Sequence, residues 1–210
     1  MILYLDTSSN FLYTGIVDNN KVLIQRFKEL DNDLSSMTLP EIDSMFKEVN
    51  ITPKDIDKIM VVVGPGSFTG VRIGVTIAKV YGWSLNKEII PLSSLEAMAC
   101  SVNGYDYVIP AIDARRGFVF AGIYDRYNNK ILSDRYIELS KLEEEINKLS
   151  GKCVIISNND LDTSKEVIKY TPNLDNIFKL YGDRASINAH QVEPEYLKLT
   201  EAEENRLKNS

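Results

Sequence analysis

The stretch LDTSSNFLYTGIVD at residues 5–18 returns without a gap as IDARRGFVFAGIYD at residues 112–125, half of the 210-residue chain further on. Asp6 meets Asp113, Phe11 meets Phe118, Gly15 meets Gly122, Ile16 meets Ile123 and Asp18 meets Asp125. In both copies an apolar run ends in Asp, a polar turn follows, and a second apolar run begins. A chain that repeats a strand-turn-strand unit at half its length is expected to fold as two lobes of one sub-fold, since each copy needs its own neighbouring strands and its own core. The competing explanation is a chance likeness between two hairpins.

Around the first copy, residues 2–5, 11–17 and 22–28 are rich in Ile, Leu, Val, Tyr and Phe and read as strands, with DNN at 18–20 as a hairpin turn. Leu34, Ile42, Met45, Phe46 and Val49 recur at helical spacing, with Pro40 starting or kinking that helix. KIMVVV at 58–63 is a continuous apolar run of strand length, the pattern of a strand covered on both faces. A glycine loop follows, then a helix to about Leu85, a short strand near Ile89 and Ile90, and a helix from Ser93 or Ser94 to about Cys100. After the second copy come a strand near 130–137, a helix over 141–150 and the strand KCVIIS at 152–157, which runs into NNDLDTS with no glycine turn. The predicted class is α/β: two lobes on a βββαβαβα plan, the second degenerate, spanning residues 1–103 and 104–210. The charged tail EPEYLKLTEAEENRLKNS is expected to fray.

The loop GPGSFTGVRIG at 64–74 has the composition of a phosphate cradle. A P-loop requires Lys and then Ser or Thr after its last glycine, whereas Gly70 is followed by Val71 and Arg72. The dinucleotide fingerprint requires its third glycine three residues after the second, and Gly70 comes four after Gly66. Both named motifs fail, leaving a generic anion site at a helix N-terminus or a structural turn. Within the helix, Gly70, Gly74, Ala78 and Gly82 fall at steps of four on one side. An interior glycine costs a helix about 1 kcal/mol relative to alanine, so this stripe implies a close backbone approach. Two destinations fit: the first helix of the same lobe, or a helix of another subunit. Arg72 and Lys79 exclude a membrane-embedded helix pair.

A net charge of −6 and a pI near 5.0 argue against tight binding of nucleic acid by this chain alone, which would need Lys and Arg to neutralise phosphates. The N-terminus lacks the charged and long apolar regions of a signal peptide, and no run of eighteen apolar residues exists to span a bilayer. Cys100 and Cys153 are unclustered, as expected of reduced thiols in the cytosol. His190 is the only histidine, which excludes a paired-histidine metal site and leaves one candidate imidazole base, expected on an exposed loop. Asp6 and Asp113 end strands at turns, where each could hold magnesium through water or cap its own turn. Arg115 and Arg116 beside Asp113 could grip an anion or stand solvated.

Duplicated lobes with a strand-ending Asp in each resemble the actin, sugar kinase and Hsp70 superfamily. Within it, LDTSS, GPGSFTGVRIG, PLSSLEAMA, AIDARRG and PEYLK, spread over residues 5–198, resemble the TsaB family. That resemblance implies a non-catalytic, cytoplasmic scaffold for threonylcarbamoylation of the adenosine next to the anticodon in tRNA. It implies a TsaD-like catalytic subunit and a TsaE-like ATPase as partners, self-pairing when alone, tRNA met only through the complex, and no membrane. The family pairs through the helices of its first lobe, which assigns partner binding to Leu34, Met37, Ile42, Met45, Gly70, Ile73, Gly74, Ile77, Ala78 and Gly82, with no cofactor, metal or catalytic residue. TsaD carries an HxxxH metal pair that this chain lacks, and the place matching the superfamily's second-lobe adenosine loop reads SNND. The family often has a histidine near the start of its first helix, and DNDLSSMTLPEID has none. Related sequences have been labelled glycoproteases, which no residue here supports. The alternative function is a small ATP-dependent phosphotransferase or ATPase built on Asp6, Asp113 and Gly66.

Overall fold

The computed structural model describes residues 1–19 and 21–198. Strand β1, Ile2–Asp6, is followed by β2, Phe11–Asp18, and β3, Lys21–Glu29, as two antiparallel hairpins. Helix α1, Leu34–Glu48, carries Pro40 in its interior and leads to β4, Lys58–Val62, which lies parallel to β1. Helix α2, Phe68–Leu85, strand β5, Glu88–Leu92, and the short helix α3, Ser94–Ala99, complete the first copy. The second copy runs through β6, Tyr107–Asp113, β7, Phe118–Asp125, β8, Lys130–Glu138, helix α4, Leu139–Asn147, and β9, Cys153–Ser157. Strand β10, Val167–Lys169, and helix α5, Leu174–Tyr181, follow.

The two five-stranded sheets have the same topology. One is ordered β3-β2-β1-β4-β5, and the other, read in the same sense, β8-β7-β6-β9-β10. The hairpins are antiparallel and the crossovers parallel in both. Two sheets of identical strand order on repeated sequence are a duplication, as the repeat implied. The second copy is degenerate where expected: residues 158–166 join β9 to β10 without a helix, while α2 joins β4 to β5.

In the first sheet, side-chain alternation explains why the strand runs are apolar throughout. Leu3, Leu5, Leu12 and Ile16 face one side and pack with Ile42, Met45 and Phe46 of α1 and with Val71, Val75 and Ala78 of α2. Tyr4 faces the other side, where the Phe178 ring of α5 meets it edge-on at 6.3 Å. In the second sheet Ile109, Ala111, Val119, Ala121 and Ile123 pack under Leu142 and Ile146, one turn apart on α4. Helix α4 begins at Leu139, two residues before the sequence expectation, and ends at Asn147.

The division at residues 103–104 needs correction. Among the described residues one unit comprises Met1–Ser101 and Thr171–Pro194, and the other Val102–Tyr170 with residues 195–198. The returning segment belongs with the first sheet because that sheet has a second apolar face to cover. Leu174 occupies the space where Gly15 has no Cβ, and the Asn176 amide donates to the Cys100 carbonyl at 3.0 Å. The expected fraying concerns a tail whose residues 199–210 lie outside the described residues, as does Asn20 of the predicted DNN turn.

The strongest tie on this returning segment is ionic. Arg184 donates to both carboxylate oxygens of Glu96, at 2.8 and 2.9 Å, and its guanidinium stacks on Tyr181. Glu96 is buried and also accepts from the Ser93 backbone N–H, which caps α3. Arg184→Leu would leave that carboxylate buried without its cation. The expected loss is about 3 kcal/mol, at the low end for a buried pair because Arg184 is partly solvated. A urea titration of the two proteins measures it, and a shift below about 0.5 kcal/mol would show that the segment is held by packing alone.

Candidate functional site

The glycine loop closes on the turn that follows β1. The Ser67 N–H donates to the Ser8 carbonyl at 2.7 Å, and the Thr7 hydroxyl donates to the Gly70 carbonyl at 2.7 Å. A Cβ at Gly66 would overlap the Ser8 carbonyl, and one at Gly70 the Thr7 carbonyl, so both positions permit backbone to lie on backbone. Gly64, at φ 110°, takes a conformation that side-chain-bearing residues avoid. Its carbonyl accepts from the Ser94 N–H at 2.9 Å, and the Ser94 hydroxyl donates to the Pro65 carbonyl. Ser67 is the N-cap of α2, its Oγ accepting from the Gly70 N–H at 3.2 Å. These donors serve the protein's own chain, and of the two readings left open by the motif the structural turn prevails.

The two strand-ending aspartates are in different environments. Each accepts from a backbone N–H two residues on, Ser8 to Asp6 at 2.8 Å and Arg115 to Asp113 at 2.9 Å, so both cap their own turns. Asp6 is buried, however, and Asp113 is exposed. The registers of the two hairpins differ by one residue. Leu5 lies opposite Thr14 and Asp6 opposite Tyr13, whereas Ala111 lies opposite Ala121, the counterpart of Thr14. Asp113 therefore stands at the sheet position of Thr7, on the opposite face from that of Asp6; Thr7 is buried there against α2, whereas residues 158–166 of the second unit form no helix to cover Asp113. Burial pushes the Asp6 carboxyl above its ordinary pKa, with hydrogen bonds from Ser8 and Tyr4 opposing the shift. Arg115 and Arg116, at φ 67° and 56°, are exposed on the second turn.

The small-residue stripe faces inward, within its own unit as the first of the two alternatives had it, but its neighbours are the Thr7 turn and the segment around Ala189 rather than the first helix. Gly70 and Gly74 lie under Thr7, whose Oγ1 would stand 2.5 Å from a Cβ on Gly74. Gly82 is closed in by Ala189, Ile89 and the Lys87 carbonyl, and Ala78 is fully buried. Leu34, Ile42 and Met45 are core residues as well. Assigning these seven positions to partner contact is thus corrected: the residues are packed within their own unit. Of the ten, Met37 is exposed, while Ile73 and Ile77 are half-buried at the border of the outer face of α2.

That outer face carries large apolar side chains beside its polar ones. Phe68, Arg72, Thr76 and Val80 follow one another at steps of four, with Trp83 three further on. Phe68 is 57% exposed, Val80 55% and Trp83 69%. Leu39 of α1, 47% exposed, lies one turn before Asp43. Burial and then the Asp43 charge raise the pKa of Tyr81, which sets this side of α1 beside α2. Leu39, Phe68, Val80 and Trp83 were missed from the sequence because periodicity finds the buried stripe; the available signal was apolar residues off that stripe.

Elsewhere, His190 is exposed in a single 3-10 turn, as expected. Cys100 is buried, which drives its thiol up to about 12, and Cys153 is half-buried. Among the described residues no three His, Cys, Asp or Glu side chains converge, and no helix is long and apolar enough to cross a membrane.

Two mixed sheets of identical strand order, each begun by a hairpin that carries a strand-ending Asp, define a protein with an α/β fold of two actin-like lobes. A family model described as TsaD, tRNA N6-adenosine threonylcarbamoyltransferase, matches residues 28–178. The chain is 31% identical to the tRNA threonylcarbamoyladenosine biosynthesis protein TsaB of Bacillus subtilis, over 96% of each chain. It is 29% identical to the Escherichia coli protein of that name, over 74% of this chain and 70% of that one. It belongs to the TsaB family of tRNA threonylcarbamoyladenosine biosynthesis proteins. A crystal structure from Pseudomonas aeruginosa, of a protein described as uncharacterized with similarity to peptidase YeaZ, superposes with a TM-score of 0.82 over 94% of this chain and 99% of that one, at 20% identity. A second from that organism, described as YeaZ, gives 0.76 over 93% and 99%, also at 20% identity.

Two substitutions test the loop. Gly70→Ala gains about 1 kcal/mol of helix propensity but drives a methyl into the Thr7 carbonyl; the expected net loss is about 2–4 kcal/mol by urea titration, with Thr76→Ala on the exposed side within about 0.5 kcal/mol of the parent. Asp6→Asn keeps the acceptor for Ser8 without the buried charge. Because the folded pKa of Asp6 is raised, the folded state holds more protons between its unfolded and folded values, and wild-type stability falls as pH rises through that window. The Asn variant is expected to be more stable than wild type at neutral pH, with the difference closing below the ordinary Asp pKa in thermal melts across pH.

Proposed function

We propose that this chain is a non-catalytic scaffold that binds and activates a TsaD-like catalytic homologue for threonylcarbamoylation of the adenosine next to the anticodon in tRNA, through the outer face of α1 and α2. The observation that carries this reading is the exposed apolar set Met37, Leu39, Phe68, Val80 and Trp83 on those two helices, bordered by Ile73 and Ile77. Large apolar side chains left in water support an interaction site, and a standard interface would cover about 800 Å² on each partner. The match to a family model named for the transferase supports a homologue as that partner, since related lobes present related helix pairs that can meet about a pseudo-twofold axis. Alone, the chain pairs with itself through the same face. A TsaE-like ATPase joins the scaffold and its partner in the cytoplasm, and the acidic chain meets tRNA only through that assembly. The phosphotransferase alternative is disfavoured by the glycine loop, whose Ser67 and Gly70 amides are spent on Ser8 and on Ser67 itself.

Val80→Arg places a charge at the centre of the face without touching the core. The expected result is unchanged folding and a loss of self-association and of TsaD-like partner binding of at least about 30-fold, the size of an interface hot spot, by light scattering and calorimetry. Unchanged assembly would sink the scaffold reading at this face. Saturable binding of magnesium-ATP to the isolated chain, with turnover abolished by Asp6→Ala, would establish the phosphotransferase instead.

A further inference from the structure

At the C-terminal end of α2, a cavity of about 410 Å³ opens between the helix end and the segment around residue 189. Its lining includes Trp83, Asn86, Lys87, Glu88, Asn188 and His190. Trp83 is the single tryptophan of the chain and the most exposed of the large apolar residues on α2, one turn beyond Val80 on the outer face. The lining is otherwise polar and rich in acceptors. Glu88 accepts from the Ser186 hydroxyl and has no cationic partner among the described residues. The last carbonyls of an 18-residue helix bring the negative end of its dipole to the same place.

The nearby cations are directed elsewhere. The Lys87 ammonium donates to the Lys54 carbonyl at 3.2 Å and adds to the forces holding Asp55 and Asp57 ionised. The Lys79 ammonium is taken by the Val192 and His190 carbonyls, at 2.9 and 3.4 Å. An indole, a carboxylate and the Asn86 amide oxygen around one opening suit a planar cation with several donors, since the lining Lys87 is turned to the Lys54 carbonyl. They disfavour an anion, which the helix end and Glu88 would repel.

We infer that this cavity is a socket for an arginine side chain of the protein bound on the outer face of α1 and α2. The guanidinium stacks on Trp83 and donates to Glu88 and to the amide oxygen of Asn86; the Asn188 amide oxygen is already taken by the His190 N–H at 2.9 Å. Arginine is specified over lysine because its weakly hydrated plane stacks and its donors fork, whereas an ammonium offers a hydrated point charge. The inference rests on the scaffold reading for the origin of the arginine, and continuity with Val80 ties the socket to the same face.

The single tryptophan makes the native chain its own reporter. Titration of N-acetyl-arginine amide into the full chain is expected to change Trp83 emission saturably in the millimolar range. At least fivefold weaker responses are expected from the lysine amide and from the Glu88→Gln variant, and none from the acetylated glutamate amide. Equal responses to the arginine, lysine and glutamate amides, or none at all, would overturn the socket. In the assembled complex with a TsaD-like subunit, Glu88→Gln and Trp83→Leu are each expected to weaken binding about tenfold by calorimetry. A complex that forms with wild-type affinity in both variants sinks the socket alone; a complex that fails to form with the parent chain sinks the scaffold reading, while the amide titration still decides the socket.

Discussion

The contact between the Thr7–Ser8 turn and the start of α2 organises the first unit. Backbone lies directly on backbone there, made possible by Gly66 and Gly70 and closed by hydrogen bonds from Ser67 to Ser8 and from Thr7 to Gly70. Through Ser94 the same loop is tied to the start of α3. With its first turn anchored and Gly74, Ala78 and Gly82 packed inward, α2 has one rotation about its axis. That rotation decides that Val80 and Trp83 point outward and that Val71 and Val75 fill the core. The apolar outer face of the scaffold proposal is thus a consequence of how the helix is pinned on its inner side.

The duplicated hairpin shows how one local pattern supports two environments. In the first unit the turn is roofed by the glycine loop and its aspartate is buried; in the second, residues 158–166 replace loop and helix, and the turn is open. The Gly15–Gly122 identity likewise covers two uses. Gly15 makes room for Leu174, and Gly122 for the Asp134 carboxylate, which accepts from the Tyr124 hydroxyl at 2.5 Å. Duplication preserved strand order, while the faces of the two sheets acquired separate packing partners.

Much of the fold was legible because periodicity and strand composition report local geometry directly. The extents of β1 to β5 and of α1 to α3 follow from them, as does the shared plan of the two copies. Strand β10 and helix α5 escaped notice: one is three residues long and the other eight, too short to develop a periodic signal. The family was legible from the glycine loop and its companion motifs. The candidate contact residues were not, because a stripe of glycines says that something approaches closely without saying what, and here the neighbour is a turn more than fifty residues earlier in the chain.

The sequence by itself determined the α/β class, the duplication, the succession of strands and helices in the first copy and the failure of the named phosphate motifs, since each is written in residues close together along the chain. Only the tertiary structure decided which side of α2 faces water, that Asp6 is buried while Asp113 is exposed, and that residues 171–194 return to the first sheet. Those outcomes depend on register and on contacts between distant segments, where a shift of one residue reverses a side chain. A single sequence records the residues that must meet without recording the pairing that brings them together.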